Sequence, residues 1–150
     1  MSVRVILRPK LRAQFEREAR AAFPRECCGL LEGRRDGDGT RIEALHPARN
    51  LSPAPDAFEI DPADHFAAQR AARSAGRDIV GCYHSHPGGR AEPSPRDRAG
   101  AMEAPFVWLI AAPDAAAGAA LAAYVFDGEA FLPAVLAPPA SLDPARGSRV

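Results

Sequence analysis

Apolar and polar residues follow two different periods along this chain. Val3 to Leu7 is a short β-branched, apolar run that predicts a strand. Pro9 then opens a helical pattern. Leu11, Phe15, Ala19 and Ala22 fall near i, i+4, i+8 and i+11 and form one apolar face, and Pro24 stops it. Cys28 to Glu32 reads as a strand ending at Gly33, Arg34 to Thr40 as a polar turn, and Arg41 to Leu45 as its hairpin partner. Asn50 to Asp56 holds two prolines and reads as a loop, with a short strand at Phe58-Glu59-Ile60. Asp61-Pro62 supplies an N-cap and a first-turn proline for a helix running to about Ser74, closed by Gly76.

The second half continues the alternation. Ile79 to His84 has the apolar character of a buried strand, and Pro87 to Pro93 is a loop rich in glycine and proline. Ser94-Pro95-Arg96-Asp97 starts another helix, expected to end before Pro105. Phe106 to Ala111 and Ala119 to Phe126 read as strands. Asp127-Gly128 turns the chain into a last one, Ala130 to Leu136. Interspersed strands and helices with closing hairpins predict an α/β domain with a mixed sheet and helices packed on it. That domain is expected to occupy residues 1–137. The segment 138–150 is Pro-, Ser- and Arg-rich without periodicity, and is expected to be a frayed tail.

Composition narrows the function classes. Lys+Arg and Asp+Glu are both 19 in 150 residues, so no basic excess points to nucleic acid or an anionic membrane. The apolar stretch Phe106 to Ala112 is too short to span a bilayer, and the first residues lack the apolar core of a signal peptide. The expectation is a cytoplasmic protein. Cys27, Cys28 and Cys82 form no C-x-x-C pair or disulfide framework and read as small, reduced, buried thiols.

The chemistry concentrates between His84 and Asp97. His84 and His86 lie two apart at a strand end, so both imidazoles project from one face. Imidazole is a good zinc ligand. Asp97 falls in the first turn of a helix, where the helix dipole favours an ionised carboxylate. Two histidines and a carboxylate leave one tetrahedral position open, as catalytic zinc sites do. The segment Ser94-x-x-Asp97 is equally close to a capping box, and the two readings are compatible. Singly, each element is more often an ordinary polar or capping feature. Their joint spacing makes the metal reading the stronger one. His46 and His65 read as ordinary residues.

His84-Ser85-His86-Pro87, then the residues to Pro93, then Ser94-Pro95-Arg96-Asp97, resembles the H-x-H-x7-S-x2-D signature of the JAMM (MPN+) metalloproteases. The segment Pro24-Arg25-Glu26-Cys27-Cys28-Gly29-Leu30-Leu31 is similar to the family's upstream glutamate region. Softer similarities lie at Asn50, at Phe58 to Pro62 and at Gly81-Cys82-Tyr83. The resemblance covers roughly half the chain, from Pro24 to Asp97, and implies a curved, largely antiparallel mixed sheet flanked by helices, related to the cytidine deaminase fold. It also implies one Zn2+ per chain on His84, His86 and Asp97. Glu26 would be the proton shuttle and Ser94 the donor to the oxyanion. The substrate implied is a ubiquitin-like or sulfur-carrier protein with a C-terminal Gly-Gly tail, cut at the following peptide or isopeptide bond. Gly88-Gly89 could line the channel for that tail.

Two other classes are weighed against this. A metal-free scaffold of the same fold would lack part of the ligand set, which is complete here. A zinc deaminase needs H-x-E and P-C-x-x-C elements, and neither occurs. A homodimer through exposed strand edges is left open, as is any role of the three cysteines.

Overall fold

A computed structural model describes residues 3–37, 39–113 and 120–140. The elements run β1 (Arg4–Ile6), α1 (Pro9–Ala22), β2 (Cys28–Asp36), β3 (Gly39–Ala48), α2 (Pro62–Ser74), β4 (Asp78–Ser85), α3 (Pro95–Gly100), β5 (Phe106–Ala112), β6 (Ala120–Phe126) and β7 (Phe131–Ala137). The mixed α/β class follows the sequence expectation. Four of the seven strand pairings are antiparallel: β2 with β3 and β4, and β6 with β5 and β7. β4 runs parallel to β5.

The sheet is not open. β1 pairs in parallel with both β3 and β7, which closes the order β1-β3-β2-β4-β5-β6-β7 into a barrel. Three residues of β1 make the closure, and their partners lie some 35 and 130 positions further along. No periodicity records pairings that distant. Closure pairs β1 on both sides.

Local differences have equally simple causes. The turn expected over Arg34 to Thr40 is largely strand: Arg34, Arg35 and Asp36 pair with Arg41, Thr40 and Gly39 around Gly37 at φ 62°. Those side chains are polar because the hairpin tip leaves the core, not because the ladder ends. Phe58 to Ile60 forms no strand; only Ile60 makes a single bridge, to Asn50. α3 stops at Gly100, a weak helix former, with Ala101 already extended at φ −74° and ψ 124°. Ala119 and residues 141–150 of the expected tail lie outside the described residues.

Side chains divide between the two faces of the sheet. Leu11, Phe15 and Ala19 of α1 pack with Val5, Leu31, Leu45, Tyr83 and Leu109. Ala68 of α2 packs on the other face with Leu30, Cys82, Trp108 and Phe126. Gly29 permits this at the centre: a Cβ there would collide with the Tyr83 ring and the His46 carbonyl. Tyr83 therefore lies flat across β2 with its hydroxyl donating to Glu18 at 2.6 Å. The next residue, His84, faces the α2 side beneath Phe58 and Trp108.

Candidate metal centre

Strand alternation sends His84 and His86 from the end of β4 toward one point, while Ser85 between them turns the other way. α3 meets them with its first turn. Ser94 caps it: the Asp97 amide donates to Ser94 Oγ at 3.1 Å, and the Ser94 amide donates to Asp97 Oδ2 at 2.9 Å. That reciprocal cap fixes the Asp97 carboxylate against the histidines. Oδ2 lies 3.1 Å from His84 Nε2 and 3.2 Å from His86 Nε2, and the two Nε2 atoms are 2.9 Å apart.

Three Lewis-basic atoms at the corners of a near-equilateral triangle suit a cation. Tetrahedral zinc with bonds of about 2.0–2.1 Å has ligand–ligand edges of about 3.4 Å, a few tenths longer than these. The tautomer fits as well. His86 Nδ1–H donates to the Arg90 carbonyl at 2.8 Å, which leaves the Nε2 lone pair free to ligate. His84 is fully buried, its ring stacked on Phe58 with centroids 4.3 Å apart at 24°. Its Nδ1 has no hydrogen-bond partner, so Nε2 is the atom with neighbours. Asp97 is also buried. Burial pushes its carboxyl up, but the adjoining imidazoles and the Ser94 amide outweigh this and hold it well below the usual carboxylate range. Burial holds His84 below the ordinary imidazole value.

Glu26 joins them from the segment between α1 and β2. One carboxylate oxygen and the imidazole nitrogens of His84 and His86 lie within 4.8 Å of one another. No local pattern around Glu26 signals its burial; the resemblance alone singles it out. It is 6% exposed, and burial, reinforced by Asp97 and Asp56 against His86 and Arg96, pushes its carboxyl up to about 7. Its main chain is pinned. The Cys27 amide donates to Ser85 Oγ at 2.9 Å, and the Glu26 carbonyl accepts from Asn50 Nδ2 at 3.1 Å. All five expected residues therefore come together. Glu26, His86 and Ser94 line a 690 Å³ cleft with Pro24, Pro55, Pro87, Gly89 and Arg96, and His84 and Asp97 are buried behind it.

Three contributors escaped the sequence reading. Ser85 reads as a spacer between histidines, yet it locks β4 to the Glu26 segment. Phe58 reads as a strand residue, yet its ring backs His84. The Arg90 carbonyl leaves no trace in side-chain pattern at all. The thiols match expectation: all three are free and buried, and burial pushes Cys27 and Cys28 up to about 12. Cys28 stands directly opposite His84 in the β2–β4 ladder. His46 is less ordinary than it reads, since its Nε2 lies 2.8 Å from Glu32. Among the described residues no helix is long and apolar enough to cross a membrane.

A mixed α/β barrel in which two imidazoles and two carboxylates converge on one point is what this geometry defines. The chain belongs to the prokaryotic homologs of the JAB domain, which match it over residues 8–124. It is 42% identical over 92 residues to a desampylase of Haloferax volcanii, covering 61% of this chain and 65% of that protein. It is 40% identical over 87 residues to a probable TtuB-protein conjugate cleaving protease of Thermus thermophilus, covering 57% and 53%. The matched stretch thus spans less than two-thirds of either relative. A solution structure of a protein from Desulfitobacterium hafniense is similar over 93% of this chain and 97% of that one, with a TM-score of 0.79 and 30% identity.

Proposed function

We propose that this chain is a cytoplasmic zinc-dependent metallopeptidase. It would hydrolyse a peptide or isopeptide bond after the Gly-Gly tail of a ubiquitin-like or sulfur-carrier protein, with one Zn2+ on His84, His86 and Asp97. The observation that carries the reading is the triangle of Nε2, Nε2 and Oδ2 atoms with the buried carboxyl of Glu26 beside it. The relatives' names, desampylase and conjugate cleaving protease, support the choice of substrate class.

Zinc held by His84, His86 and Asp97 would supply a Lewis acid at the scissile carbonyl. Glu26 would take a proton from the attacking water and return it to the leaving amine. Ser94 Oγ already accepts the Asp97 amide, so its own proton is free to donate to the developing oxyanion. The cleft wall at Pro87 and Gly89 lets an extended, side-chain-free tail approach His86 closely.

The test uses zinc-loaded protein and two substrates: a Gly-Gly-tailed ubiquitin-like protein joined to a lysine side chain, and the same protein extended by one amino acid. Mass spectrometry is expected to find cleavage after the second glycine, lost in Glu26→Gln with zinc retained. Failure on both substrates, while another amide is cut, would overturn the substrate assignment. A wild type that holds no zinc would instead favour a scaffold.

A further inference from the structure

The side-chain amide of Asn50 uses its full hydrogen-bonding capacity. Nδ2 donates to the carbonyls of Glu26 at 3.1 Å and Ala57 at 3.0 Å. Oδ1 accepts from the amides of Ser52 at 2.9 Å and Glu59 at 3.0 Å. Two of these bonds, to residues 57 and 59, flank Phe58, the residue stacked on His84. A third holds the Glu26–Cys27 peptide, whose other end is held by Ser85. Main-chain bonds from Leu51 to Glu59 and from Asp61 to Arg49 close the same loop. No regular element supports residues 51–59, so the amide takes the place of a ladder in fixing that backbone.

We propose that Asn50 is a positioning residue which sets two parts of the centre at once: the placement of Glu26, through its carbonyl, and the orientation of the His84 ring, through Phe58. It touches neither ligand atom nor cleft. The inference rests on the metal-centre reading above. Side chains one step behind a metal's ligands ordinarily change metal affinity or activity by about 10–100-fold when altered. Asn50 differs from the usual case in reaching its ligand through an aromatic face rather than a hydrogen bond.

Cobalt(II) substitution tests it, because the visible absorption of the bound ion reports ligand geometry whether or not the protein is turning over. Asn50→Asp keeps the size and both acceptors but loses both N–H donors. Phe58→Leu leaves the amide's bonds alone and removes the stacked ring. Wild type is expected to bind about one cobalt with tetrahedral-type bands. Asn50→Asp is expected to keep the native circular dichroism, bind cobalt about tenfold more weakly with shifted bands, and lose about tenfold in kcat with KM held within about twofold. Phe58→Leu is expected to shift the bands and weaken cobalt in the same sense. A folded Asn50→Asp with wild-type spectrum, affinity and kcat would overturn the proposal. If Asn50→Asp fails to fold, an unshifted spectrum and affinity in Phe58→Leu would overturn it instead. A wild type that binds no cobalt overturns the metal-centre reading itself, a separate result visible before any variant is made.

Discussion

Ser94 and Asp97 hold each other's main chains, and the oxygen of Asp97 that receives the Ser94 amide is the same Oδ2 that faces both histidines. Helix capping and ligand placement are therefore one interaction. Ser94→Ala is expected to lower stability by about 1 kcal/mol, the usual cost of losing such a cap. It is also expected to lower kcat by about 100-fold, the usual cost of losing an oxyanion donor. Urea unfolding and single-turnover kinetics measure the two separately. A stability loss with unchanged kcat would leave Ser94 as a cap alone.

Asp97→Ala removes the only carboxylate of the triangle and leaves two buried imidazoles facing each other. Purified without chelators and with zinc supplied, wild type is expected to retain about one zinc per chain and the variant close to none. Elemental mass spectrometry decides this. Comparable zinc in both proteins would remove Asp97 from the ligand set.

Glu32 makes a stability prediction away from the centre. It is buried on β2 with His46 Nε2 at 2.8 Å and Arg77 Nη1 at 2.7 Å. Burial pushes its carboxyl up, but those two bonds win and hold it below the ordinary value. The folded state thus binds the proton more weakly than the unfolded one. The stabilisation is complete above about pH 4.5 and is lost as pH falls through the folded value. Glu32→Gln is expected to cost about 3 kcal/mol at pH 7, as when one partner of a buried ion pair is removed. The gap to wild type is expected to shrink steadily below pH 4.5. A gap independent of pH would show that charge plays no part.

Gly29→Ala tests the close approach of β2 to Tyr83 and β3. An added methyl meets the Tyr83 ring on one side and the His46 carbonyl on the other, so neither a rotamer change nor a small shift relieves both. The expected loss is about 3 kcal/mol, at the upper end for overpacking. Equilibrium denaturation reads it. A loss under about 1 kcal/mol would mean that the strands separate easily there.

The parts legible from sequence were those with short-range signatures. The α1 face, the Asp61-Pro62 helix start and the strand–loop–helix run from His84 to Asp97 each carry their period or cap within a dozen residues. The resemblance singled out Glu26, whose burial no local pattern reports, since the side chains that cover it come from distant segments. The barrel closure escaped for a similar reason. Arg4, Val5 and Ile6 find partners on β3 and β7 by geometry at the far end of the chain, and a three-residue strand has too little alternation to name them. Phe58 and Asn50 act from a loop, where period carries no information and only the hydrogen-bond pattern shows their work.

The three thiols have a practical corollary. Cys28 on β2, Cys82 on β4 and Cys27 just ahead of β2 are buried and protonated. An alkylating reagent can reach them only when this strand pair separates from its surroundings. Their labelling rate, with and without metal, is therefore an intrinsic clock for the opening of the centre, with no reporter group to be introduced.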